Sequence, residues 1–307
     1  MNTDKPKVIV LCGPTASGKS SLGIELAVRF STEIVNADSM QVYRGLDIGT
    51  AKPAQEERRL VPHHLLDLVD PDEPFNAAIF RQTALPVIAE INSRAKVPLL
   101  VGGTGLYIKT LLGGLMACPP LNLELRNSLQ QDCREHGSAA LHERLQTLDP
   151  RAAENIHPRD SVRIIRALEI IQLTGVPFST QTQAHHFQES PFHYLKIYLD
   201  LDRAQLYQRI NQRCLDMITK GLLQETQGLL EKGYSPALKS LKSIGYRHMI
   251  QYLQNRSSWD QAILDFQADT RRYAKRQITW FRADPEVVRR HPEQKNAIFN
   301  LMQEFLS

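Results

Sequence analysis

At 307 residues, with 42% hydrophobic and 23% charged residues, the chain is long enough for one large domain or two modest ones. No apolar run approaches the roughly 20 residues that span a bilayer, MNTDKPK leaves no room for a signal peptide, and Cys12, Cys118, Cys133 and Cys214 lack zinc or disulfide spacing. Membrane, secreted and zinc-module classes are therefore set aside, and a monomeric cytoplasmic enzyme with reduced cysteines is expected. The net charge of +4 is unevenly spread: residues 196–307 hold 18 Lys/Arg against 12 Asp/Glu, which suits a polyanionic partner or a solvated basic face.

In chain order, KVIVLC reads as a buried strand, SSLGIELAVRF as a helix, EIVNAD as a second strand, AAIFRQTALPVIAEINSR as a helix and VPLLVGG as a third strand. Strands alternating with helices imply a parallel sheet covered on both faces. From Pro119 to Gly175 the apolar spacing is helical only, broken at Pro119-Pro120, Asp149-Pro150 and His157-Pro158. A strand, YLKIYLDLD, then returns, followed by RAQLYQRINQRCLDMITKGLLQETQGLLEKG and DQAILDFQADTRRYAKRQITWFR, which read as long helices. The expected organisation is an α/β core over residues 1–115 and 192–307, interrupted by a helical insertion over residues 116–191.

Between the first strand and helix stands Gly13-x-x-x-x-Gly18-Lys19-Ser20, which fits the phosphate-loop pattern. Glycines let backbone amides converge on an anion, the helix presents its positive end, Lys19 adds a charge, and the Ser20 hydroxyl is suited to Mg²⁺. The fold class expected is α/β, a P-loop NTPase-like parallel sheet core with an inserted helical domain. Asp38, closing EIVNAD, fits a Mg²⁺ role through water, yet VPLLV ends in Gly102-Gly103-Thr104-Gly105 without a carboxylate, and no base-recognition motif is evident. The loop is then suited to a pyrophosphate with no nucleoside attached as well as to a nucleotide. His63-His64 and His185-His186 lack a third ligand, so structural or surface roles are expected of them.

GPTASGKS, NADSMQVYRGLDIGTAKP, HHLLD, LLVGGTGLY, RIIRALE, SIGYR and TRRYAKRQITWFR, in that order from about Val8 to Arg282, together resemble the tRNA dimethylallyltransferases. The resemblance implies transfer of a dimethylallyl group from its diphosphate to N6 of the adenosine immediately 3′ of the anticodon, position 37, in tRNAs reading codons that begin with U. Pyrophosphate is the implied product and Mg²⁺ the implied cofactor. The loop residues Gly13, Thr15, Ala16, Ser17, Gly18, Lys19 and Ser20 would then hold the pyrophosphate, with Ser20 on the metal and with Arg163 and Arg213 facing the departing charge. Asp38 matches the family's carboxylate that orients N6 and takes its proton; a helix N-cap before SMQVY and a Mg²⁺ role are its alternatives. Thr104 is placed by the resemblance beside the reacting centre.

For the tRNA anticodon stem-loop, the resemblance points to Asp38, Ser39, Met40, Gln41, Thr104, Arg126, Arg163, Arg166, Lys242, Ser243, Gly245, Tyr246, Arg247, Arg271, Arg272, Lys275, Arg276 and Arg282. The insertion would grip the anticodon stem. Gln41 offers both a donor and an acceptor to a flipped base. Arg271/Lys275 and Arg272/Arg276 fall four apart on a helix, a repulsion that opposing phosphates relieve, while Trp280 and Phe281 suit a core-facing side. A P-loop small-molecule kinase, an isopentenyltransferase acting on free adenine nucleotides and an RNA-binding module with a vestigial loop share parts of this pattern.

Overall fold

The computed structural model describes residues 5–115, 119–120, 122–185 and 190–307; Cys118 and His186 lie outside them. The elements follow as β1 (Lys7–Cys12), α1 (Lys19–Arg29), β2 (Ile34–Asn36), α2 (Gln55–Leu60), β3 (His63–His64), α3 (Ala77–Ser93), β4 (Leu99–Gly102) and α4 (Gly105–Gly113). Then come α5 (Leu123–Leu148), α6 (Pro150–Asn155), α7 (Ser161–Thr174), α8 (Phe178–His185), β5 (His193–Leu199), α9 (Arg203–Thr219) and α10 (Leu222–Glu231). The chain closes with α11 (Tyr246–Leu253), α12 (Trp259–Arg282), β6 (Val287–Arg290) and α13 (Lys295–Leu306). Two compact units result, Met1–Leu112 with Pro191–Ser307, and Gly113–Ser190.

In the first unit the strands form one parallel sheet in the order β3-β2-β4-β1-β5-β6. The central strands are apolar on both faces because both are covered. Val8, Val10, Leu100 and Tyr198 belong to a core with α3, α4, α9 and α12. Ile9, Leu11, Leu99 and Ile197 belong to a second core with Leu22 and Leu26 of α1 and Ile298 and Met302 of α13. The expected parallel sheet is thus found, with β3 and β6 added at its edges. β3 has only two residues and β6 is Val-Val-Arg-Arg, too short and too polar to stand out by alternation.

Local chemistry sets the helix ends. Asn76 accepts from the amides of Ala78 and Ile79, Asp202 from those of Ala204 and Gln205, and Ser258 from that of Gln261, starting α3, α9 and α12. The long stretch after YLKIYLDLD divides at Gly221 into α9 and α10. In the second unit α5 is kinked at Gly137, and Leu129, Leu141, Leu145, Ile164 and Leu168 share a core of their own. Among the described residues no helix is long and apolar enough to cross a membrane.

Phe80 of α3 is fully buried and stacks on Tyr107 with ring centroids 4.4 Å apart. Phe80→Ala is expected to cost about 3–5 kcal/mol, read as a lowered midpoint in denaturant unfolding.

Candidate active site

β1, β2 and β4 all end at the same rim of the sheet, where parallel α/β sheets carry their sites. After β1 the chain turns through positive φ at Ala16 (64°) and Gly18 (91°) before entering α1. At Gly18 a side chain would be strained in that conformation, which is why the position suits glycine. The first amides of α1 have no partner within the helix, so they face outward as an anion site at its positive end.

Three of the seven loop residues expected on the phosphate are differently engaged. Gly13 packs against Leu199 of β5, and the Thr15 amide donates to Oε1 of Gln277 at 2.8 Å. The Ser17 amide also turns inward, to the Pro14 carbonyl at 3.3 Å. Ala16, Gly18, Lys19 and Ser20 are left to supply the amides. The Ser17 hydroxyl is buried with no hydrogen-bond partner among the described residues, and that of Ser20 is at the exposed start of α1.

A cavity of about 550 Å³ opens above this loop, lined by Lys19, Ser20, Asp38, Gln41, Arg213, Tyr273 and Arg276 among others. Lys19 Nζ donates to the Pro14 carbonyl at 2.6 Å. Burial and then the charge of Arg213 push the lysine down to about 8, against the pull of Asp38. Arg213, on α9, is likewise lowered by burial, with Asp38 opposing.

Asp38 follows β2 in a turn and not at a helix start: its Oδ1 accepts from the amides of Met40 (2.8 Å) and Gln41 (3.4 Å). The helix-cap alternative therefore falls, because the Asx turn takes one oxygen while Oδ2 has no hydrogen bond among the described residues. Thr104 Oγ1 accepts from the Ser39 amide at 3.0 Å, with the Tyr273 side chain beside it. Burial and the charge of Asp38 push the Tyr273 phenol well up. Asp38, Thr104 and Tyr273 are thus brought together beside the phosphate loop.

Gln41 keeps less freedom than its type offers. Its Nε2 donates to the Thr50 carbonyl at 3.0 Å and the Ala51 carbonyl at 3.2 Å, so only Oε1, an acceptor, remains. That loop is pinned by Glu225 of α10, whose carboxylate accepts from the amides of Asp47, Ile48 and Gly49 and from the Tyr246 hydroxyl at 2.5 Å.

Tyr246 is fully buried, which corrects its expected place on the tRNA surface: the side chain is spent on Glu225. Lys242 is exposed, Ser243 and Arg247 line the cavity, and Gly245 has φ 94°. Asp269 is held well below the usual carboxylate range: burial opposes this, but hydrogen bonds from Arg247, Arg272 and His248 outweigh it. On α12, Arg272, Lys275, Arg276 and Arg282 are exposed, while Arg271 donates to Asn211 Oδ1 at 2.5 Å. Phe281 is in the core, and Trp280 stays 38% exposed.

In the helical unit Arg126 and Arg166 both donate to Glu169 Oε2, at 2.7 and 2.8 Å. Glu169 is fully buried, which raises a carboxyl, yet the two arginines hold it below its ordinary value. Arg163 stands on α7 of this unit, mostly exposed, with Asp160 at 3.4 Å. His64 bonds Glu33 at 2.8 Å and His63 the Val61 carbonyl, and no cluster of three His, Cys, Asp or Glu fit for a metal occurs among the described residues.

Against this geometry, the model of the IPP transferase family matches residues 41–284, and an isopentenyl transferase model matches residues 6–66. The chain belongs to the IPP transferase family of tRNA dimethylallyltransferases. It is 52% identical to the tRNA dimethylallyltransferase of Geobacter sulfurreducens, over 92% of this chain and 91% of that one. It is similar to the crystal structure of a tRNA isopentenylpyrophosphate transferase of Bacillus halodurans, with TM-score 0.72, 39% identity, and 98% and 97% of the two chains covered. A eukaryotic dimethylallyltransferase acting on tRNA is similar over 94% of this chain and 75% of that one, at 30% identity and TM-score 0.77.

In this IPP transferase, sequence reasoning missed Tyr273, Gln277 and Glu225. The first two sit inside a motif read for its cations, and Glu225 carries no local signal at all. The lysine at the bottom of the cavity generates a prediction. A bound anion favours charged Lys19, so its contribution to binding is complete below pH 8 and lost as the pH rises through that value. Titration calorimetry with inorganic pyrophosphate is expected to show affinity falling by up to about tenfold per pH unit above 8, and Lys19→Met is expected to flatten that slope.

Proposed function

We propose that the chain transfers the dimethylallyl group of dimethylallyl diphosphate to N6 of adenosine 37 in tRNAs reading codons that begin with U. The observation that carries this reading is one cavity that holds both an anion cradle, with Lys19 and Arg213, and a carboxylate with a free oxygen, Asp38. A leaving diphosphate needs the first, and an amine whose lone pair is delocalised into its ring needs the second.

The new bond joins N6 to C1 of the dimethylallyl group, and the bond from C1 to the diphosphate oxygen breaks. The N6 proton passes to Asp38, and pyrophosphate leaves with the electron pair. Lys19, Arg213 and the amides at the start of α1 receive the growing charge; Arg163 is assigned to the same diphosphate by the family pattern. Thr104, oriented by the Ser39 amide, stands next to the base in this reading. The Oε1 of Gln41 is an acceptor for the second N6 hydrogen or another donor of the flipped nucleotide.

Mg²⁺ fits the donor set: Ser20 offers an exposed hydroxyl at the cradle, and such an ion keeps mostly phosphate and water oxygens, so no carboxylate cluster is required. When bound it would neutralise charge on the diphosphate. The exposed cations of α12 and the region of Ser39, Met40, Ser243 and Arg247 face the anticodon loop in this reading. Arg126 and Arg166 serve the stem, with the helical insertion as the gripping element. We place the enzyme in the cytoplasm, with its tRNA, as a monomer.

The deciding experiment is mass analysis of unmodified tRNA incubated with enzyme, Mg²⁺ and dimethylallyl diphosphate without ATP. One dimethylallyl unit on adenosine 37 with one pyrophosphate released is expected. No gain, with free adenine nucleotides prenylated or ATP consumed in parallel reactions, would overturn the assignment in favour of the small-molecule alternatives. Asp38→Asn keeps an acceptor for the Met40 amide, and is expected to lower kcat by about 10²–10⁴-fold with tRNA affinity retained. Replacing Arg272 and Arg276 by Ala is expected to weaken tRNA binding and flatten its salt dependence, by about 0.7 in the log–log slope for each phosphate left without its cation.

A further inference from the structure

The parallel pairing of β1 with β4 ends at Cys12 opposite Gly102. Beyond that rung the strands part, as they do wherever a parallel sheet opens a site at its carboxyl edge. One chain enters the phosphate loop and the other becomes Gly103-Thr104-Gly105. Two backbone groups just past the last rung, the Thr15 N–H and the Gly103 carbonyl, face a gap that no strand fills.

A single side chain from α12 fills it. Gln277 is 6% exposed; its Oε1 accepts from the Thr15 amide at 2.8 Å and its Nε2 donates to the Gly103 carbonyl at 3.0 Å. One partner is a pure donor and the other a pure acceptor, so the amide is oriented without ambiguity and both of its bonds are made in a dry place. Its neighbours on the same helix face, at spacings of four and three residues, act on the same loop. Tyr273 lies beside Thr104, and the Trp280 ring covers Gly105 so closely that a Cβ there would lie 2.1 Å from its Nε1.

We propose that Gln277 is a positioning residue for the transfer reaction. It fixes the spacing between the loop that holds the diphosphate and the loop that carries Thr104, and so sets the distance between the leaving group and the attacking amine. This rests on the assignment of the two loops made above. Displacement of reacting groups by about 1 Å costs of the order of 10²-fold in rate, so a side chain at the cavity wall that ties the two loops together controls turnover through them.

The test uses full-length Gln277→Met and Gln277→Glu with tRNA and dimethylallyl diphosphate, normalised to folded protein by thermal unfolding. Gln277→Met has nearly the same shape and makes neither bond. It is expected to lower kcat about 100-fold and to weaken inorganic pyrophosphate binding, with the tRNA dissociation constant within about twofold of wild type. Gln277→Glu separates positioning from mere packing. An ionised carboxylate repels the Gly103 carbonyl, whereas the protonated acid donates to it and still accepts from Thr15. The ratio of its kcat to that of wild type is therefore expected to rise as the pH is lowered.

Wild-type-like kcat and pyrophosphate affinity in Gln277→Met, a tRNA affinity that falls as far as the pyrophosphate affinity, or a pH-independent Gln277→Glu ratio would each overturn the proposal. If wild-type enzyme fails to prenylate tRNA, it is the assignment of the reaction that falls; if wild type works and the variants match it, it is the role of Gln277.

Discussion

Lys19 and Arg213 set the terms for the rest of the site. Both are cations drawn toward the interior, and neither forms a salt bridge among the described residues. Burying a charge without a partner is unfavourable, and the depressed lysine records that cost. The arrangement becomes favourable once an anion with several oxygens enters the cavity. Asp38 tempers the field from the other side without neutralising it, since its Oδ1 is taken up by the turn that follows β2. A carboxylate thus stands near the cations without being consumed by them.

Holding such a site open requires rigid surroundings, and the structure supplies them with buried polar groups. Glu225 gathers three backbone amides and the Tyr246 hydroxyl, which stiffens the loop that in turn takes the Gln41 amide. Lys52, 1% exposed, ties Asp47 to Asp67 beside it. Each of these residues satisfies backbone or charge that the sheet cannot reach, so the walls are fixed before any substrate arrives. The exposed arginines of α12 are left comparatively free, with Arg272 resting on Asp269 and Arg276 over the Tyr273 ring.

The sheet, its parallel direction and the helical insert were legible because apolar runs and helical spacing are local signals. The Gly13 to Ser20 loop was legible for the same reason: one short stretch contains the strand end, the glycines, the lysine and the helix start. What escaped reading acts across long separations. Gln277 meets Thr15 from 262 residues away and Glu225 reaches Ile48 from 177, and neither residue type announces such a partner. Type also misled: Tyr246 reads as a tRNA contact, yet its side chain is consumed by a carboxylate in the core. Gln41 reads as donor and acceptor, yet two carbonyls hold its nitrogen.

That commitment of polar groups bears on selectivity. With Gln41 reduced to an acceptor and Asp38 an acceptor by charge, the wall beside the cradle shows two acceptors and, next to them, a threonine hydroxyl already taking the Ser39 amide. An exocyclic amine with two hydrogens satisfies both of these acceptors, while a carbonyl oxygen at the same place leaves them unpaired. An acceptor whose water the base displaces without replacing its hydrogen bond costs about 1–3 kcal/mol, so a base carrying oxygen in place of nitrogen binds less well. The chemistry of the walls therefore favours adenine over guanine or inosine at the reacting position, without any contact to the rest of the ring. In the proposed reaction discrimination and catalysis draw on the same carboxylate: the group that admits the amine is also the one assigned to accept its proton.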